Sequence, residues 1–89
     1  NDKMVADDFR LYFDEVHPQM LKKLALQYPQ LSEKDLHLCA FLHLGMSTKE
    51  IAALTSREVR SVDSARNRLR KKLGLAPQQS LQQFLKGFA

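Results

Sequence analysis

The sequence predicts an all-α domain, and three observations lead there. Apolar residues recur at spacings of three and four along most of the chain, the period of a helix with one buried face. At four places a hydroxyl residue stands three positions before an acid or an amide, the signature of a helix start. Gly and Pro number only three each in 89 residues, too few for the many tight turns of a β-sandwich.

The elements follow in order. Val5, Phe9, Tyr12/Phe13 and Val16 form the apolar stripe of an N-terminal amphipathic helix, with Asp7-Asp8 and Asp14-Glu15 on its polar side. Pro18 forces His17 into an extended or capping conformation and suits the first turn of a second helix. That helix turns Leu21, Leu24 and Tyr28 inward and stops before Pro29, so residues 1–30 read as a helical lead-in to a domain over 31–89. Ser32-Glu33-Lys34-Asp35 opens a helix over about 32–44, with Asp35 short for the reach back to the cap, and Gly45 ends it in the left-handed conformation. Nearly every residue from Leu36 to Leu44 is apolar, which makes this helix central and buried on all sides. Ser47-Thr48-Lys49-Glu50 opens a helix over about 48–54, too short to stand alone, which must pack through Ile51 and Leu54. Thr55-Ser56-Arg57-Glu58 precedes a basic helix over about 57–73 that ends at Gly74; a cap at Thr55 starts it up to a turn sooner. Ser80-Leu81-Gln82-Gln83 opens the last helix, over about 80–88.

Composition bounds the partners. Hydrophobic residues at 44% and charged residues at 27% describe a soluble globular domain, and no apolar run approaches the roughly 18 residues of a membrane span. The chain opens Asn1-Asp2-Lys3 without a signal peptide, which predicts a piece of a longer protein. A single Cys39 closes no intrachain disulfide, so a reducing, cytoplasmic setting is expected. The net charge of +4 is unevenly placed: residues 57–73 hold seven basic side chains against Glu58 and Asp63, for +5. A polyanion is the natural partner of such a stretch, whereas a merely solvated face scatters both signs.

A short helix, a brief turn and a long basic helix describe a helix-turn-helix, whose second helix enters the DNA major groove. On the basic helix Val62, Ala65, Leu69 and Leu73 make the buried stripe, and the opposite arc carries Arg60, Ser64, Asn67, Arg68 and Lys71. Arg and Asn are the side chains that read guanine and adenine edges in two-point contact. Other polar residues carry blander readings. His37 and His43 are six apart, not the i,i+4 pair of a helical zinc site, and read as surface or helix-end histidines. Cys39 reads as a small buried hydrophobe. Leu81, Phe84, Leu85 and Phe88 form one apolar stripe that serves either the core or a dimer face. With no Gly-rich phosphate loop, no activated nucleophile and no metal-ligand cluster, no cofactor or small-molecule ligand is expected, and an enzyme is the poorest fit.

Leu31-Ser32, then Gly45-Met46-Ser47-Thr48-Lys49-Glu50-Ile51-Ala52, then Ser61-Val62, then Arg70-Lys71-Lys72-Leu73-Gly74-Leu75 resemble the LuxR/GerE-type helix-turn-helix family. The spacing matches without a gap from Leu31 to Leu75, about half the chain. Val16-His17-Pro18 through Tyr28-Pro29 is similar to the lead-in of members found at the C-termini of large bacterial sensory regulators. The resemblance implies a four-helix DNA-binding domain acting in transcription, dimeric on a two-fold site through its last helix, with Leu81, Phe84, Leu85 and Phe88 at that face. Combined with the residue types above, Thr48, Lys49 and Arg57 are expected on phosphates. Arg60, Ser61, Ser64 and Asn67 are expected at bases, and Arg68, Lys71 and Lys72 on the backbone. Two departures stand out. Arg57 and Glu58 occupy places where the family usually carries a hydrophobic residue and a Ser or Thr cap. Asp63 replaces a frequent Lys; a carboxylate there repels phosphate unless it accepts from cytosine or pairs with Arg60 or Asn67. Two rivals remain: a sigma-factor-like promoter-recognition domain, with RNA polymerase as partner, and a helical dimerisation module that does not bind DNA.

Overall fold

The computed structural model describes residues 13, 15, 17 and 19–88. These residues form five helices and no strand: α1 Met20–Gln27, α2 Glu33–His43, α3 Thr48–Thr55, α4 Val59–Leu73 and α5 Leu81–Lys86. The predicted N-terminal helix, with Val5, Phe9, Tyr12, Val16 and the pair Asp7-Asp8, lies outside the described residues, as do Asp14 and Pro18. Phe13 is described and is buried in the core.

The arrangement follows from α2. Leu36, Leu38, Cys39, Ala40, Phe41 and Leu42 are all buried, so this helix has apolar surface on every side and needs neighbours on every side. α1, α4 and α5 each pack against it, while α3 packs mainly on α4. Met20, Leu21 and Leu24 of α1 belong to the same core as Ile51, Leu69 and Leu85. Truncating the buried Phe41 to alanine would cost about 3–5 kcal/mol. Burial, and secondarily the charge of Asp35, pushes the Cys39 thiol up to about 12, where it behaves as a small hydrophobe.

Two of the four predicted starts are complete capping boxes. Ser32 Oγ accepts from the Asp35 N–H at 3.1 Å while Asp35 Oδ2 accepts from the Ser32 N–H at 2.8 Å. Ser47 and Glu50 repeat the pattern at 3.1 and 2.8 Å. Asp35 is therefore long enough after all. Ser80 Oγ accepts from the Gln83 N–H at 3.2 Å, and α5 then runs only to Lys86 before two tighter turns at Gly87 and Phe88. Gly45, at φ +80°, closes α2 as expected: the Met46 N–H donates back to the Phe41 carbonyl across the turn.

The third signature is overturned. Thr55 starts no helix; it is the last residue of α3, and its hydroxyl donates to the Ile51 carbonyl at 2.7 Å. Ser56 then takes the left-handed conformation at φ 51°, and the Arg57 N–H donates to the Ala52 carbonyl at 2.9 Å. This is the glycine-type helix stop built without glycine. The basic helix begins at Val59, two residues later than expected, and its cap residue Glu58 makes no side-chain capping bond.

The C-terminal end of α2 carries an unforeseen histidine pair. His17 and His43 meet nearly edge to face, with ring centroids 4.8 Å apart, and Phe13 packs on both. His43 Nδ1 is shielded from solvent and has no hydrogen-bond partner among the described residues.

Two predictions follow from these local features. Ser56→Gly relieves the left-handed strain and should raise stability by about 0.5–1 kcal/mol after the entropy of the added glycine is subtracted; a lower urea midpoint would contradict the assignment. Burial, then the charges of His17 and Lys86, holds the His43 imidazole below its ordinary value of 6.5. The folded state therefore binds fewer protons than the unfolded state. The stabilisation is present above about 6.5 and is lost as pH falls through the lower folded value. Melting temperature should accordingly drop between pH 7.5 and 5, and His43→Phe should flatten that slope. An unchanged slope in the variant would place the pH sensitivity elsewhere.

Candidate nucleic-acid interface

α4 is held by one face. Val62, Ala65, Leu69 and Leu73 advance by three, four and four residues and are all buried, which seats the helix against α3 and α2. The opposite arc is free of the core: Arg60, Asp63, Ser64, Asn67, Arg68 and Lys71 are exposed, with Ser61 exposed beside them. Arg66 and Arg70 flank the arc and are half-buried.

α3 and the turn supply the approach. Ile51 and Ala52 anchor α3, leaving Lys49 exposed and Thr48 half-buried in its first turn. Arg57 lies in the turn itself rather than in the helix, exposed, with Nη2 donating to the Ser61 carbonyl at 3.4 Å. Because the left-handed Ser56 reverses the chain within residues 56–58, α4 leaves α3 at once, with no slack loop between them. The cations Lys49, Arg57, Arg60, Arg68 and Lys71 make no ion pair with any described residue.

Lys72 does not belong with them. Its Nζ lies 2.6 Å from Asp35 Oδ2, in an ion pair that joins the last turn of α4 to the first turn of α2. The Gln30 side-chain amide donates to the Lys72 carbonyl at 2.9 Å, closing the same junction. Burial alone raises the Asp35 carboxyl, but the Lys72 ammonium and the Ser32 N–H and hydroxyl outweigh it and leave the group below 3.8. Lys72, expected on the DNA backbone, is thus already engaged within the fold. The signal was in the register: position 72 follows Leu69 by three and precedes Leu73, so it borders the buried stripe. Arg70, half-buried, is likewise committed, its Nη1 donating to the Gln79 carbonyl at 2.8 Å and tying the 74–80 connection to α4.

The C-terminal stripe divides in two. Leu81 and Leu85 are 2% and 0% exposed inside this one chain, so they are core residues and leave no surface for a second subunit. Phe84 and Phe88 are half-buried and form an aromatic cluster with Tyr28, at centroid separations of 5.5 to 6.4 Å. Phe88 also lines an open groove with Lys23, Leu26, Gln27 and Gly87, in which Leu26 is 76% exposed.

Among the described residues no group of three or more His, Cys, Asp or Glu could hold a metal ion, and no helix is long and apolar enough to cross a membrane. Comparison with protein-family models, with curated proteins and with solved structures finds no match to this chain.

The ion pair separates two roles for Lys72 experimentally. Hydrogen bonds to charged groups contribute about 1.5–3 kcal/mol, and partial exposure reduces that figure. Lys72→Ala should therefore lower stability by about 1–2 kcal/mol in urea unfolding, with strong coupling to Asp35→Asn in a double-mutant cycle. Additive effects of the two substitutions would rule out the junction as a stabilising contact.

Proposed function

We propose that this chain binds duplex DNA with sequence preference, α4 lying in the major groove, as the output domain of a bacterial transcriptional regulator of the LuxR/GerE kind. One observation carries the reading: α4 exposes Arg60, Ser64, Asn67, Arg68 and Lys71 on a single arc, while its apolar stripe is wholly buried. Fifteen helical residues extend about 22 Å, and a helix fits the roughly 12 Å width of the major groove. Arg60, Ser61, Ser64 and Asn67, in the first half of α4, are the base-reading candidates. Arg68 and Lys71 on α4, Thr48 and Lys49 at the start of α3, and Arg57 in the turn are the phosphate contacts. Contacts of the second kind fix register and supply affinity, while only the first carry sequence information.

A two-fold dimer on DNA is part of the proposal, with the half-exposed Phe84 and Phe88 rather than the whole C-terminal stripe at the contact. Such a dimer would set two copies of α4 in successive major grooves about 34 Å apart and require a palindromic site.

Selection of bound sites from a random duplex library, followed by titration across salt, tests the reading. If each subunit neutralises about four phosphates, log K should fall against log salt with a slope near −3.6, at roughly −0.9 per phosphate. Lys71→Ala should weaken all duplexes alike, whereas Asn67→Ala should relax preference at one base position. Absence of duplex binding at low salt would leave the charged arc of α4 a solvated surface.

A further inference from the structure

Asp63 is the one acidic residue in α4, and it stands on the exposed arc, three residues after Arg60 and four before Asn67. No described residue pairs with its charge. It lies beyond the first turn, where a carboxylate would complement the helix N-terminus. Arg60, Arg66 and Asn67 are all at helical spacing from it, yet its carboxylate makes no ion pair and no side-chain hydrogen bond with any described residue. Intramolecular pairing therefore does not explain it. A carboxylate on a surface that faces a polyanion weakens binding to every sequence unless a donor meets it.

The geometry points to Asp63 as a specificity-determining residue that accepts from the N4 amino group of a cytosine in the major groove and disfavours other bases there. This rests on the DNA-binding reading of α4 and adds to it a base and a mode of discrimination. Cytosine presents a donor in the major groove with no acceptor of its own beside it, whereas guanine presents two acceptors and thymine an acceptor and a methyl group. A carboxylate is acceptor-only, so guanine and thymine edges repel it and leave it desolvated without a partner. Selection here works as much by penalty as by attraction. Each turn of α4 advances about 5.4 Å along its axis, between one and two base-pair steps of 3.4 Å. The cytosine should therefore lie within two base pairs of the positions met by Arg60 and Asn67.

The test compares the intact chain with Asp63→Ala and Asp63→Asn in site selection from a random duplex library and in titration of an unselected duplex. Both substitutions are at an exposed position, and urea unfolding confirms that each variant is folded. The wild type should select a C·G pair at one position and discriminate against its replacement by roughly 5- to 150-fold. Asp63→Ala should lose preference at that position alone and bind the unselected duplex several-fold more tightly. Asp63→Asn should shift the preference at that position from cytosine to adenine, whose acceptor and donor match an amide. An Asp63→Ala protein with the same selected sites and unchanged affinity for the unselected duplex would overturn the assignment while leaving DNA binding by α4 intact. A wild-type chain that binds no duplex would overturn both together.

Discussion

A helix without a polar face constrains everything around it. α2 is buried from Leu36 through Leu42 apart from a half-buried His37, and a surface of that kind is stable only when enclosed. α1, α4 and α5 enclose it, each through residues at three- and four-residue spacing. None of the shorter helices could persist alone, since isolated helices below about 12–15 residues are marginal in water. The core is thus a single cooperative unit around α2, and the surface left over is what those helices do not turn inward.

The orientation of α4 depends on both of its ends. At the beginning, the left-handed Ser56 fixes how the chain leaves α3. At the other end, Asp35 does two things with one oxygen: Oδ2 accepts from the Ser32 N–H to start α2 and from Lys72 Nζ to hold the last turn of α4. Gln30 reinforces the contact through the Lys72 carbonyl. The same carboxylate therefore sets the helix start of the core element and the register of the exposed one. The proposed reading of bases by α4 would require such fixing, because recognition groups must be held within a fraction of an ångström of their target geometry.

Periodicity and caps made most of the fold legible, because burial and orphan backbone groups act within a few residues. The stripe Val62, Ala65, Leu69, Leu73 and the starts at Ser32, Ser47 and Ser80 are local facts, and they appear as expected. Thr55 misled because a threonine hydroxyl can bond either forward to a helix start or back to the carbonyl four residues earlier, and α3 leaves it only the second option. Ser56 could not be read as a helix stop, since serine seldom adopts a positive φ. Lys72 and the His17–His43 pair depend on partners 37 and 26 residues distant, which spacing within one helix does not reveal. The same limit applied to Leu81 and Leu85: an apolar stripe says that something covers it, not whether the cover is α2 or another chain.

The contrast between α4 and its neighbours bears on where function resides. α2 and α3 each begin with a complete capping box and an acid in the first turn. α4 begins with neither, and its cap residue Glu58 makes no capping bond. Along its length Arg66 and Arg70, and Arg68 and Lys72, place like charges at four-residue spacing, each pair costing a few tenths of a kcal/mol. Compensation comes at the other end, where Arg70, Lys71 and Lys72 complement the helix C-terminus and Gly74 closes it in the left-handed conformation. The helix thus has its weakest terminal support at its start, where Arg60 and Ser61 are exposed. Sequences usually satisfy local rules and depart from them where another requirement overrides stability. Stability of the isolated domain gives no reason to gather charge without a described partner on one arc of α4. An external polyanion, such as the DNA proposed above, would supply the countercharge that the fold leaves out.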